Sequence, residues 1–119
     1  MTKEEIAPAE KFRDELFAKF KKIDGVYHPG KDGLGSEETF SYQNDEDCTS
    51  MYIRFDFQMD DRKEIDPDTI KESVVDLVVE MIKDTEFKDL ELDVSSDCWD
   101  TFTNAFSAHY IEVYLDSEF

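Results

Sequence analysis

The sequence predicts an α+β fold, a two-layer sandwich in which an antiparallel four-stranded sheet carries two helices on one face in the order α-β-β-α-β-β, within one domain spanning residues 1–119. Three observations predict it. Two segments repeat apolar residues at helical spacing, and three others alternate apolar and polar residues with a period of two. The strands fall into sequential pairs, which favours antiparallel pairing with the helices gathered on one face. Ten Phe, five Tyr and one Trp supply the apolar surface that such a core needs to offset chain entropy.

In chain order, residues 8–23 (PAEKFRDELFAKFKKI) place Phe12, Leu16, Phe20 and Ile23 on one helical stripe, widened by Ala9 and Phe17. Pro8 suits a first helical turn, Asp24-Gly25 supplies a stop, and Lys19, Lys21 and Lys22 complement the negative end of the helix dipole. Residues 26–36 (VYHPGKDGLGS) hold three of the four Gly and read as a loop. Their GKDGLGS stretch lacks the phosphate-cradle spacing and no helix follows it. Residues 38–43 (ETFSYQ) form a short strand with Phe40 and Tyr42 on one face, and the acidic turn 44–50 leads into a second strand over 51–60. Asn44, Asp45, Glu46 and Asp47 in that turn do not meet the EF-hand pattern, so the turn reads as acidic and solvated.

The second helix has the fullest signature: Asp66 as N-cap, Pro67 at the first position, Asp68 in the first turn, and Ile65 placed to staple against Ile70. Ile70, Val74, Leu77, Val78, Met81 and Ile82 then share one face. Residues 88–96 (KDLELDVSS) alternate as a half-buried strand, and residues 108–116 (AHYIEVYLD) do the same. Between them, Trp99, Phe102 and Phe106 stand at offsets 0, 3 and 7, so residues 97–107 are read as an irregular linker with a helical turn.

The charge is extreme and uneven. The net of −18 comes from 13 basic and 31 acidic residues; residues 1–22 carry six bases and five acids, so the rest of the chain carries −19. Such a chain repels nucleic acid and anionic membrane surfaces and attracts basic partners, so neither direct nucleic-acid binding nor membrane binding is expected. Acidity as a general solvation device for high salt fits poorly, because ten of the 13 bases are Lys and the acids concentrate after residue 22. The amino terminus lacks the apolar core of a signal peptide and no run reaches the length of a membrane span, so a cytoplasmic location is expected, host cytoplasm if the protein is viral.

Enzyme signatures are absent: no G-x-S-x-G, H-E-x-x-H, Walker A or dinucleotide fingerprint occurs. His109, on an apolar strand face, reads as a satisfied core or edge residue, and Cys98 as a small buried hydrophobe. Cys48 and Cys98 lack metal-site spacing, leaving a single disulfide open. Carboxylates are too plentiful to single out a catalytic pair. No enzymatic activity, cofactor or metal is expected.

The remaining signal is the sheet's open face. If helices cover Met51, Ile53, Phe55, Phe57, Leu90, Leu92, Val94, Ile111, Val113 and Leu115, the other face presents Tyr52, Asp56, Asp60, Glu91, Asp93, Tyr110, Glu112, Tyr114 and Asp116, with Arg54 and Gln58 among them. Like charges opposite one another on a sheet cost up to about 1 kcal/mol per pair, and a purely structural surface mixes signs. Charged strands also suppress edge aggregation, which accounts for part of the pattern. Acids dotted with tyrosine suit a Lys/Arg-rich surface. In charge and size, though in no motif, the chain resembles phage-encoded anti-restriction and anti-CRISPR proteins that act as nucleic-acid mimics. That resemblance implies a stoichiometric inhibitor occupying the basic surface of a nucleic-acid-binding enzyme or nuclease, and the strand alternation makes the nine open-face residues named above the expected contact. An immunity protein neutralising a basic nuclease toxin makes the same physical prediction, and an acidic structural or assembly subunit is the alternative of another kind. Salt dependence of partner capture separates the inhibitor from the structural subunit. Charge reversal at Asp56, Glu91 and Glu112 together is the substitution that the sequence suggests for testing whether the contact lies on this face.

Overall fold

The computed structural model describes residues 3–27, 39–60, 62, 64–101 and 106–117. Its elements are α1 (Lys3–Phe20), β1 (Phe40–Asn44), β2 (Thr49–Asp60), α2 (Pro67–Ile82), β3 (Glu91–Thr101) and β4 (Phe106–Asp116). The two helices and one four-stranded antiparallel sheet follow the α-β-β-α-β-β order that the sequence predicts.

α2 begins as its sequence dictates. Asp66 is extended, its Oδ1 accepts from the Asp68 amide at 2.9 Å, and Pro67 opens the helix where no N–H is needed. Ile70, Val74, Val78 and Ile82 are its buried stripe, and Leu77 and Met81 pack at the margin. α1 starts one turn earlier than its proline suggests. Pro8 lies inside the helix rather than in its first turn. The missing Pro8 N–H costs one hydrogen bond close to the helix end, and Glu4 in the preceding turn favours the positive dipole end. After Phe20 the chain tightens into three-residue bonds and turns at Gly25, whose φ of 99° is left-handed. A Cβ there would lie 2.9 Å from Ile65 Cγ2, so Gly25 also permits the close approach of the segment before α2.

The sheet order is β1-β2-β4-β3, with each neighbouring pair antiparallel. β2 and β3 therefore run parallel with β4 inserted between them, and α2 makes the crossover. Odd residues 51–59 of β2 are buried, as are Ile111, Val113 and Leu115 of β4 and Val94 of β3, and both helices pack on this face. Phe20 stacks on Phe55 with centroids 4.8 Å apart and meets Phe57 edge-on at 5.3 Å; Phe12 meets Phe87 edge-on at 5.8 Å. Each such pair adds about 0.5–1.5 kcal/mol beyond area burial, which helps the core hold a strongly charged chain together.

One segment departs from the sequence reading. Residues 97–101 continue β3 and 106–107 begin β4, so the described part of the stretch expected as an irregular linker with a helical turn over 97–107 is strand. A register shift between Cys98 and Asp100 interrupts the two-residue period within β3. Phe102 and the GKDGLGS loop with His28 lie outside the described residues.

Candidate functional site: an acidic sheet face

The pairing register brings the predicted face together. Across β2, β4 and β3 the open-face levels run Ser50–Asp116–Glu91, then Tyr52–Tyr114–Asp93, then Arg54–Glu112–Ser95, then Asp56–Tyr110–Asp97. Each level carries at least one carboxylate, and levels are about 6.6 Å apart along the strands, with neighbouring strands about 4.8 Å apart. Asp60 stands further along β2 on the same face. All nine residues that the sequence singles out thus share one surface. Asp97 joins them. It was missed because it fell within the misread linker, although Glu91, Asp93, Ser95 and Asp97 keep the same alternation up to the bulge.

The acids differ in what surrounds them. Glu112, at the centre, accepts from the Tyr52 hydroxyl at 2.6 Å and from the Tyr114 hydroxyl at 3.0 Å, both on Oε2. The two rings lean on each other with centroids 4.9 Å apart. Partial burial, reinforced by the bond to Glu112, pushes both phenols above their ordinary pKa, Tyr52 most strongly. Asp56 is held by Arg54, whose Nη2 and Nε lie 3.0 and 3.2 Å from Oδ1, and the guanidinium lies 4.3 Å from the centre of the Tyr110 ring. Asp60 is gripped by Arg62 through two bonds of 2.9 and 3.0 Å, and its side chain keeps 11% exposure. Asp116 Oδ1 lies 3.8 Å from the Cys48 thiol.

Glu91, Asp93 and Asp97 are different. All three are exposed on β3, and none forms an ion pair among the described residues. Asp97 makes only a local bond, accepting from the Cys98 amide at 2.8 Å. The face therefore has a compensated middle on β2 and β4 and an uncompensated margin on β3. Two of the three residues suggested for charge reversal, Asp56 and Glu112, are internally bonded, so reversing them would strand Arg54 or two hydroxyls. Glu91, Asp93 and Asp97 are the cleaner set.

Other candidate sites resolve locally. Asp45 fastens the β1–β2 turn by accepting from the Asp47 and Cys48 amides at 3.1 and 2.9 Å and from Gln43 at 2.8 Å. These bonds, the Gln43 amide foremost, hold its carboxyl below the usual range. Among the described residues no group of three or more His, Cys, Asp or Glu side chains is placed to hold a metal ion. His109 is buried, stacked on Phe57 at 5.6 Å with its Nε2 2.7 Å from Ser107 Oγ, as a satisfied core residue should be. Cys98 corrects its sequence reading: it faces the helix side opposite His109 but is exposed, because β3 is the outermost strand and Cys98 stands at its bulge. Both cysteines are free thiols.

No family model matches the chain, and neither a curated protein nor a solved structure matches it.

Proposed function

We propose that this protein is a stoichiometric binding protein whose acidic, tyrosine-bearing sheet face occupies the basic nucleic-acid-binding surface of a partner protein, presenting carboxylates where phosphates would sit. One observation carries the reading. Every level of the open face from Glu91–Asp116 to Asp97–Asp56 bears a carboxylate, and the one base on those strands, Arg54, is spent on Asp56. The directly opposed acids Glu91 and Asp116 cost stability, roughly 0.2–1 kcal/mol, and a cationic partner would convert that repulsion into attraction. The tyrosines between the acids give rigid, amphipathic contact area, as interface centres do.

The test is salt-dependent and competitive. Immobilised protein should retain nucleic-acid-binding proteins from the natural host at low salt. It should release them as the screening length falls from about 10 Å at 0.1 M to about 3 Å at 1 M salt. A duplex or single-stranded oligonucleotide should displace the same proteins, and the triple substitution Glu91→Lys, Asp93→Lys, Asp97→Lys should abolish retention while the fold persists. Retention that no nucleic acid can compete with, or that survives the triple substitution, would remove this reading.

A further inference from the structure

β3 is an edge strand of eleven residues, whereas the opposite edge of the sheet is closed down. β1 spans five residues, and where it ends β2 is met by Tyr27, whose amide and carbonyl exchange bonds of 2.7 and 2.8 Å with Gln58. On β3, every second residue directs its amide and carbonyl toward β4, and the alternate set points outward. Over Glu91–Asp97 no further backbone hydrogen bond is made among the described residues. A strand of this length with an open edge is a template for pairing, and folded proteins usually shorten, cover or charge such edges. Its two sides also differ in chemistry. Glu91, Asp93 and Asp97 stand exposed on the open face, while half-buried Leu92 and buried Val94 face the helices.

We propose that this edge is a β-addition site, where an extended segment of the basic partner pairs with β3 as a fifth strand. The segment places Lys or Arg opposite the three acids and apolar residues beside Leu92 and Val94. The inference rests on the proposed function and adds how the partner is held: backbone bonds supply a register that charge alone lacks. The acids also select against a second copy of this chain. Antiparallel pairing of two β3 strands about Val94 would set Glu91 against Asp97, and parallel in-register pairing would set each acid against itself.

The probe is a ten-residue peptide alternating Lys and Val, compared with the same peptide methylated at every backbone nitrogen, using the whole protein at low salt. The unmethylated peptide should slow hydrogen exchange at alternate amides within 91–97 and leave Phe40–Asn44 unchanged. It should bind about tenfold or more tightly than its methylated counterpart. Asp93→Lys should erase both effects, with circular dichroism confirming the fold. Equal binding of the two peptides without protection on β3 would overturn strand addition while leaving the acidic-face reading standing. Failure of both peptides to bind would overturn strand addition and the acidic-face reading together. Self-association through β3 at the same salt would likewise overturn the choice of a basic partner strand.

Discussion

Removing the hydroxyl of Tyr52 by Tyr52→Phe isolates the compensated centre of the face. That hydroxyl donates to Glu112 at 2.6 Å from a half-buried position, while Tyr114 donates to the same oxygen at 3.0 Å. A hydrogen bond to a charged group contributes about 1.5–3 kcal/mol when enclosed. With solvent at one side and a second donor left in place, about 1 kcal/mol is the expected loss at pH 7–8. The pH dependence sharpens this. The folded pKa of Tyr52 is raised by burial and by Glu112, whereas the unfolded chain titrates near 10. Its stabilisation is therefore fully present below about pH 10 and declines as pH rises toward the folded pKa, because the unfolded state surrenders its proton first. The decline cannot exceed about 1.4 kcal/mol per pH unit, and screening at this half-open position reduces it. Urea unfolding of both proteins from pH 8 to 11 should show the wild-type advantage shrinking above pH 10. Absorbance at 295 nm should show Tyr52 and Tyr114 lagging behind in the tyrosinate titration. An advantage that stays constant to pH 11, or five tyrosines that titrate together, would refute the shared-acceptor geometry.

Two further substitutions or reactions probe the frame. Gly25→Ala forces a left-handed φ of 99° on a residue whose Cβ would lie 2.9 Å from Ile65 Cγ2; it should cost about 2 kcal/mol and lower the melting temperature by roughly 6–12 °C, checked by thermal melts monitored by circular dichroism. A thiol reagent should modify exposed Cys98 several-fold faster than Cys48, which is half-buried beside the Asp116 carboxylate, and non-reducing mass analysis should find no internal disulfide.

The fold was legible where local physics and periodicity agree. Asp66-Pro67 announces a helix start, the 51–60 alternation fixes which side chains of β2 are buried, and both hold in detail. The face was legible for the same reason, since a period of two assigns every residue of a strand to one side once its core side is known. Strand order was not, because nothing in the sequence states that β4 lies between β2 and β3. Without it the Tyr52–Glu112–Tyr114 cluster could not be foreseen, as its members are 60 and two residues apart. The Arg54–Asp56 and Arg62–Asp60 pairs were readable as residues two apart, but which acids lacked such a partner depended on the register. Asp97 was missed because the sequence reading ends the strand at Ser96, one residue short of it, and Cys98 read as buried because nothing in the sequence states that its strand is the outermost of the sheet.

The unequal compensation of the acids bears on how a cationic partner would be bound. A Lys or Arg approaching Asp56 or Asp60 competes with a guanidinium already bonded at about 3 Å, and one approaching Glu112 competes with two hydroxyls. Exchanging one such bond for another would yield little net free energy, so on the proposed function these acids would contribute chiefly to the long-range field that raises the encounter rate. Glu91, Asp93 and Asp97 have no ion-pair partner among the described residues to give up, and a cation arriving beside them would relieve their mutual repulsion. Substitutions on β2 and β4 that leave the fold intact should therefore alter mainly the salt-dependent association rate. Those on β3 should alter the dissociation rate and the register, and a common effect of both sets on dissociation would show that the middle of the face is bound as directly as its margin.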